Sequence, residues 1–135
     1  PEFIGLLHQV RQPFNTNAIA QAAALAALDD EAFVRESLEV TRAGRHQLTG
    51  GLRALGLEVE PGVANFVLVK VPDSLDIFRR LQERGLIVRP LGGYGLPEHL
   101  RITIGREDEN ARLLQAMEHI LAPASAEETP GGAPR

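Results

Sequence analysis

The sequence predicts an α+β fold, with helices covering one face of a small, mostly antiparallel sheet in the order α-α-β-α-β-β-α. Two observations carry this. Val34, Leu38, Thr41, Arg45, Leu48, Leu52 and Leu55 recur at alternating spacings of four and three, which is one helical stripe. Two short apolar runs, Leu86 to Arg89 and His99 to Ile104, flank a loop rich in Gly and Pro, as the strands of a hairpin would.

Taken in order, residues 1 to 12 mix apolar and polar positions without a cap and read as the end of an upstream element. Pro13 to Asn17 is a turn in which Asn15, Thr16 or Asn17 can cap the next helix. Ala18 to Leu28 is alanine-dense and strongly helical. Asp29, Asp30 and Glu31 mark a break and an acidic first turn, after which the striped helix runs from Glu31 to Leu55, with Gly56 as its stop. Arg45 lies within the stripe and is expected to snorkel, or to pair with an acid, at the edge of the core.

A strand over Ala64 to Val71 follows, then a helix over Ser74 to Arg84, capped by Asp73 or Ser74 and ended by Gly85. The hairpin strands come next, making a three-stranded layer. The last helix, Glu107 to Leu121, gathers Leu113, Leu114, Met117, Ile120 and Leu121 on one side. Ala122 to Arg135 is rich in Pro and Gly and is expected to be disordered.

Bulk properties exclude several classes. At 135 residues the chain can bury one core, and its 44% hydrophobic and 24% charged content is that of a globular protein. No apolar run approaches the roughly 18 residues that span a bilayer, and no secretory leader is visible, so a cytoplasmic setting is the default. A net charge of −4, no basic cluster and 4% aromatics argue against nucleic acid. The absence of cysteine removes disulfides, thiolate metal sites and a Cys nucleophile. His8, His46, His99 and His119 show no metal-ligand spacing, and no catalytic triad or carboxylate pair stands out. Residue 1 is Pro and the only methionine is Met117, which suggests a fragment or excised domain.

The hairpin carries the chemistry. Strand parity puts Leu100, Ile102 and Ile104 toward the helices and His99, Arg101 and Thr103 on the other face. If the strands pair around the loop, Arg89 and Arg101 become direct neighbours, and like charges directly opposite destabilise a sheet. A carboxylate or phosphate between them resolves the conflict, and a guanidinium fork suits two oxygens. The competing reading is a pair of exposed strand arginines. Pro90 is expected to end the strand just after Arg89. Gly92 to Gly95 has no helix directly after it and reads as a flexible turn rather than a phosphate cradle, with Tyr94 able to lean over a site. Asn65 is a local hydrogen-bonding device or a ligand contact. Lys70, the single lysine, is the only candidate for a Schiff base and reads as an exposed strand-end residue.

The run Gly85-Leu-Ile-Val-Arg-Pro-Leu-Gly-Gly-Tyr-Gly95, followed by Leu100-Arg-Ile-Thr-Ile-Gly105, resembles the C-terminal part of histidinol-phosphate aminotransferases. These are fold-type I enzymes that use pyridoxal phosphate. Arg11-Gln-Pro-Phe-Asn15, Ala64-Asn-Phe-Val67 and Glu107-Asp-Glu-Asn110 match in the same order, so the resemblance spans about residues 1 to 121. It is shared by aromatic and other aminotransferases and by a phosphothreonine decarboxylase.

The resemblance implies that 1–17 continue from a missing large domain, that 18–121 form the small C-terminal domain, and that the whole enzyme is a homodimer. It implies that Arg101 holds a substrate α-carboxylate and Arg89 a second anionic end, with Asn65, Tyr94 and Asn15 lining the site. The substrates implied are histidinol phosphate with glutamate or 2-oxoglutarate. The family's cofactor lysine, in a Ser-x-x-Lys motif, is absent, as are its other cofactor ligands, so no covalent cofactor and no catalytic residue are expected here. A stand-alone anion-binding module or a dimerisation domain is the alternative of another class.

Overall fold

A computed structural model describes residues 2–11 and 14–122 of the chain. Its elements are α1 (Glu2–Val10), α2 (Ala18–Leu28), α3 (Glu31–Ala54), β1 (Glu58–Glu60), β2 (Phe66–Lys70), α4 (Ser74–Glu83), β3 (Arg89–Leu91), a 3-10 turn (Gly92–Tyr94), β4 (Leu96–Thr103) and α5 (Glu107–Leu121). The tail expected to be disordered lies outside the described residues, apart from Ala122. The chain divides into two compact units, one up to Ser37 and one from Leu38 onward, with the boundary inside α3.

In the first unit, the Asn17 side chain accepts the Ala20 N–H at 2.8 Å and starts α2, the third of the three capping residues the sequence offered. Asp30 does the same for α3 through the Phe33 N–H. No residue of α1 or α2 is buried.

The second unit holds the core. Four strands form one antiparallel sheet in the order β1-β2-β4-β3. Val67 and Val69 of β2 and Leu100 and Ile102 of β4 point to one face, where they meet Leu48 and Leu52 of α3, Ile77 and Leu81 of α4, and Leu113, Met117 and Ile120 of α5. All of these are buried, and burying each such side chain contributes about 1.5–3 kcal/mol. Within this unit the described helices lie on one face of the sheet, the face that the parity of β4 required. Gly56 and Gly85, at φ +81° and +71°, end α3 and α4 in the left-handed conformation. Leu57 N–H then returns to Leu52 O and Leu86 N–H to Leu81 O.

Five expectations need correction. The sheet has four strands, not three: Glu58–Glu60 adds an edge strand too short to show periodicity. Residues 2–10 are helical. The strand expected over Leu86 to Arg89 instead begins at Arg89 and includes Pro90, because β3 is a sheet edge where a missing N–H breaks no ladder. The turn at Gly92–Tyr94 is a 3-10 turn, and β4 starts earlier, at Leu96. Arg45 meets no acid among the described residues; its partners are three backbone carbonyls.

Arg106 is the N-cap of α5 and supplies no side-chain acceptor. Its own N–H goes to the Glu109 carboxylate at 2.8 Å. Asn110, 2% exposed, takes over the turn: it accepts Gly105 N–H at 2.9 Å and donates to Gly105 O and to Gln47 Oε1. The exit of β4 is thereby tied to both α5 and α3.

Candidate functional site

The face of the sheet away from the helices carries Phe66, Leu68 and Lys70 from β2, His99, Arg101 and Thr103 from β4, and Arg89 from β3. Register places Arg89 directly opposite Arg101, and Leu68 opposite Arg101 on the other side. Arg101 is half-buried with its guanidinium carbon 5.0 Å from the centroid of the Phe66 ring. Arg89 is exposed and sits 5.7 Å from the centroid of Tyr94. Aromatic faces thus hold both cations, an attraction worth about 0.5–1 kcal/mol at exposed positions.

Neither guanidinium is neutralised by a described residue. Among the described residues, no carboxylate oxygen lies within 4.0 Å of Arg89 or Arg101, and neither side chain donates a hydrogen bond. Arg101 Nε is buried without a partner, as is Nδ1 of His99 one pleat along the same strand. By contrast, Arg45, Arg53, Arg80, Arg84 and Arg112 each donate to a backbone carbonyl. A buried polar atom left open normally costs roughly 1–3 kcal/mol, so this edge of Arg101 suits an external acceptor. A doubly oxygenated anion fits a guanidinium fork that is already oriented by a ring.

The other expected residues are placed as follows. Tyr94 stands in the 3-10 turn beside Arg89. Asn65 is exposed immediately before β2, and its carbonyl accepts Ile104 N–H at 2.9 Å. Asn15 is exposed and belongs to the unit that ends at Ser37. Phe66 and Arg45 were not singled out as site residues from the sequence. Phe66 could have been, since its parity in β2 puts it on the arginine face.

A cleft of about 220 Å³ between α4 and α5 is lined by Arg84, Leu86, Arg112, Gln115, Ala116 and His119. It lies on the helix side, and its two guanidiniums already donate to Arg80 O and Arg84 O. No group of three or more potential metal ligands occurs among the described residues. None of their helices is long and apolar enough to cross a membrane.

Lys70 lies 3.9 Å from carboxylate oxygens of both Glu58 and Glu98 at an open strand end. As the only lysine, with its ammonium shared between two exposed acids, it does not fit covalent attachment of pyridoxal phosphate.

Residues 1–117 match the family of aminotransferases of class I and II, and the chain belongs to that family. Within it, the chain is 51% identical over 120 residues to histidinol-phosphate aminotransferase 1 of Dechloromonas aromatica, a match covering 89% of this chain and 33% of the relative. Among solved structures, the histidinol-phosphate aminotransferase of Clostridium acetobutylicum superposes with a TM-score of 0.72 at 25% identity, over 89% of this chain and 38% of that one. Aspartate aminotransferase of Thermus thermophilus with maleate gives 0.65 at 31% identity, over 78% and 30%. The chain spans about a third of the length of the curated relatives it matches.

Proposed function

We propose that this chain is the substrate-recognition part of a histidinol-phosphate aminotransferase, with 18–121 as its small C-terminal domain and 1–17 continuing from a large domain. The observation that supports this reading best is the open guanidinium of Arg101, with its buried Nε unpaired and Arg89 directly opposite. Arg101 takes the α-carboxylate of glutamate or 2-oxoglutarate. Arg89 adds a second positive charge for the far end, whether a second carboxylate or the phosphate of histidinol phosphate. Tyr94 and Asn65 flank the same hairpin and strand start, and Asn15 joins them on the family resemblance alone.

Pyridoxal phosphate dependence follows from the family, and on this reading the group is held by the rest of the polypeptide, in a cytoplasmic homodimer. The share of this chain is to bind and orient the substrate's charged ends. The test is Arg101→Ala in the intact enzyme. Hydrogen bonds to charged groups are worth about 1.5–3 kcal/mol, so KM for glutamate should rise by about 10- to 150-fold. Unchanged KM for glutamate would remove Arg101 from the site.

A further inference from the structure

We propose that Arg45 is a positioning residue for the arginine face, acting through the loop that delivers Phe66 beneath Arg101. The inference rests on the role given to Arg101 above. Arg45 Nη1 donates to Pro61 O at 2.7 Å and Gly62 O at 3.0 Å, and Nη2 donates to Val63 O at 3.1 Å. One guanidinium therefore holds three successive carbonyls, a grip that suits a rigid fork and not a point charge.

The loop needs such a grip. Pro61 is only half-buried, residues 62 to 65 are exposed, and Val63 is 98% exposed, so no core packing fixes their course. Its other anchor is the single bond from Ile104 N–H to Asn65 O. Each residue released from one backbone conformation regains about 1–2 kcal/mol of conformational entropy, so a segment held this lightly loosens when its clamp is removed. Phe66 follows directly, and its ring is the surface on which the Arg101 guanidinium lies.

The clamp itself stands on a fixed post. Leu48 and Leu52 seat α3 in the core, and Gly44, next to Arg45, lies so close to the exit of β4 that an added Cβ would come within 2.6 Å of Ile104 Cγ2. The helix thus transmits a fixed reference to the loop. Since the three carbonyls can turn to solvent when Arg45 is lost, the fold should survive while the aim of Arg101 degrades.

The experiment uses the intact aminotransferase with Arg45→Met, Arg101→Ala and both together. Arg45→Met should raise KM for glutamate by about 3- to 30-fold, leave kcat within about twofold, and leave the unfolding midpoint near wild type. In the Arg101→Ala background it should add nothing, because a residue that works through Arg101 has nothing left to aim. Arg45→Lys, which cannot span three carbonyls, should raise KM by about threefold and is read alone if the Met variant fails to fold. Should Arg101→Ala raise KM while the Arg45 variants do not, or should the two effects multiply, the positioning role is overturned and the Arg101 reading stands. Should Arg101→Ala itself leave KM unchanged, the reading beneath both is the one that falls.

Discussion

Arg89 and Arg101 face each other across the β3–β4 pair, and among the described residues no acid stands between them. Directly opposed like charges cost a sheet about 0.2–1 kcal/mol, so the pairing is mildly unfavourable until an anion joins it. The two aromatic rings soften this without cancelling charge. The register of one short hairpin thus sets the spacing of the two charges, which on the proposed reading favours an anion between them.

Maleate should therefore stabilise the intact protein against heat. At ten times its dissociation constant a ligand that binds only the folded state contributes about 1.4 kcal/mol. An upward shift of the unfolding midpoint at constant ionic strength is expected, and Arg89→Gln/Arg101→Gln should abolish it. An equal shift in the double variant would place the bound anion elsewhere.

Two glycines of α3 should respond in opposite directions to alanine. A Cβ added at Gly50 would meet no atom within 4 Å, so Gly50→Ala gains up to about 1 kcal/mol of helix propensity. At Gly44 the same methyl group would lie 2.6 Å from Ile104 Cγ2, 2.8 Å from Asn110 Nδ2 and 3.0 Å from Gly105 O. Two of these neighbours belong to the Asn110–Gly105 hydrogen-bonded turn and cannot give way freely. Overpacking of this kind costs about 1–3 kcal/mol, so Gly44→Ala should lower the urea midpoint while Gly50→Ala raises it. Equal midpoints for the two variants would contradict the close approach of α3 to the exit of β4.

What was legible in the sequence follows the strength of the local signal. The heptad-like stripe, the Asp73 cap and the alternation of Leu100 to Ile104 are strong local patterns, so α3, α4 and the two faces of β4 could be read directly. The pairing of Arg89 with Arg101 was also readable, because residues joined by a hairpin must oppose at a constant sum of positions. Glu58–Glu60 was not, since three residues hold too little pattern to separate a strand from a loop. Pro90 misled for a different reason: proline argues against a strand only where its missing N–H is needed, and edge status is a property of the whole sheet. Arg45 shows the same limit, because its partners lie 16 to 18 residues away on a loop with no motif of its own.

Lys70 provides the sharpest check on how the chemistry is divided between this chain and the rest of the polypeptide. Its ammonium is shared by Glu58 and Glu98, both exposed, and surface pairs of this kind contribute about 0–1 kcal/mol each. Removing it leaves two carboxylates that water can solvate, so no buried charge is stranded. Lys70→Ala in the intact enzyme should therefore leave kcat and KM within about twofold of wild type. Borohydride reduction should trap pyridoxal phosphate on the variant as fully as on wild type if, as proposed, the amine that holds the group lies outside this chain. Loss of trapped cofactor in Lys70→Ala, with the fold retained, would instead move covalent attachment onto β2 and require the acids flanking this lysine to be part of the site.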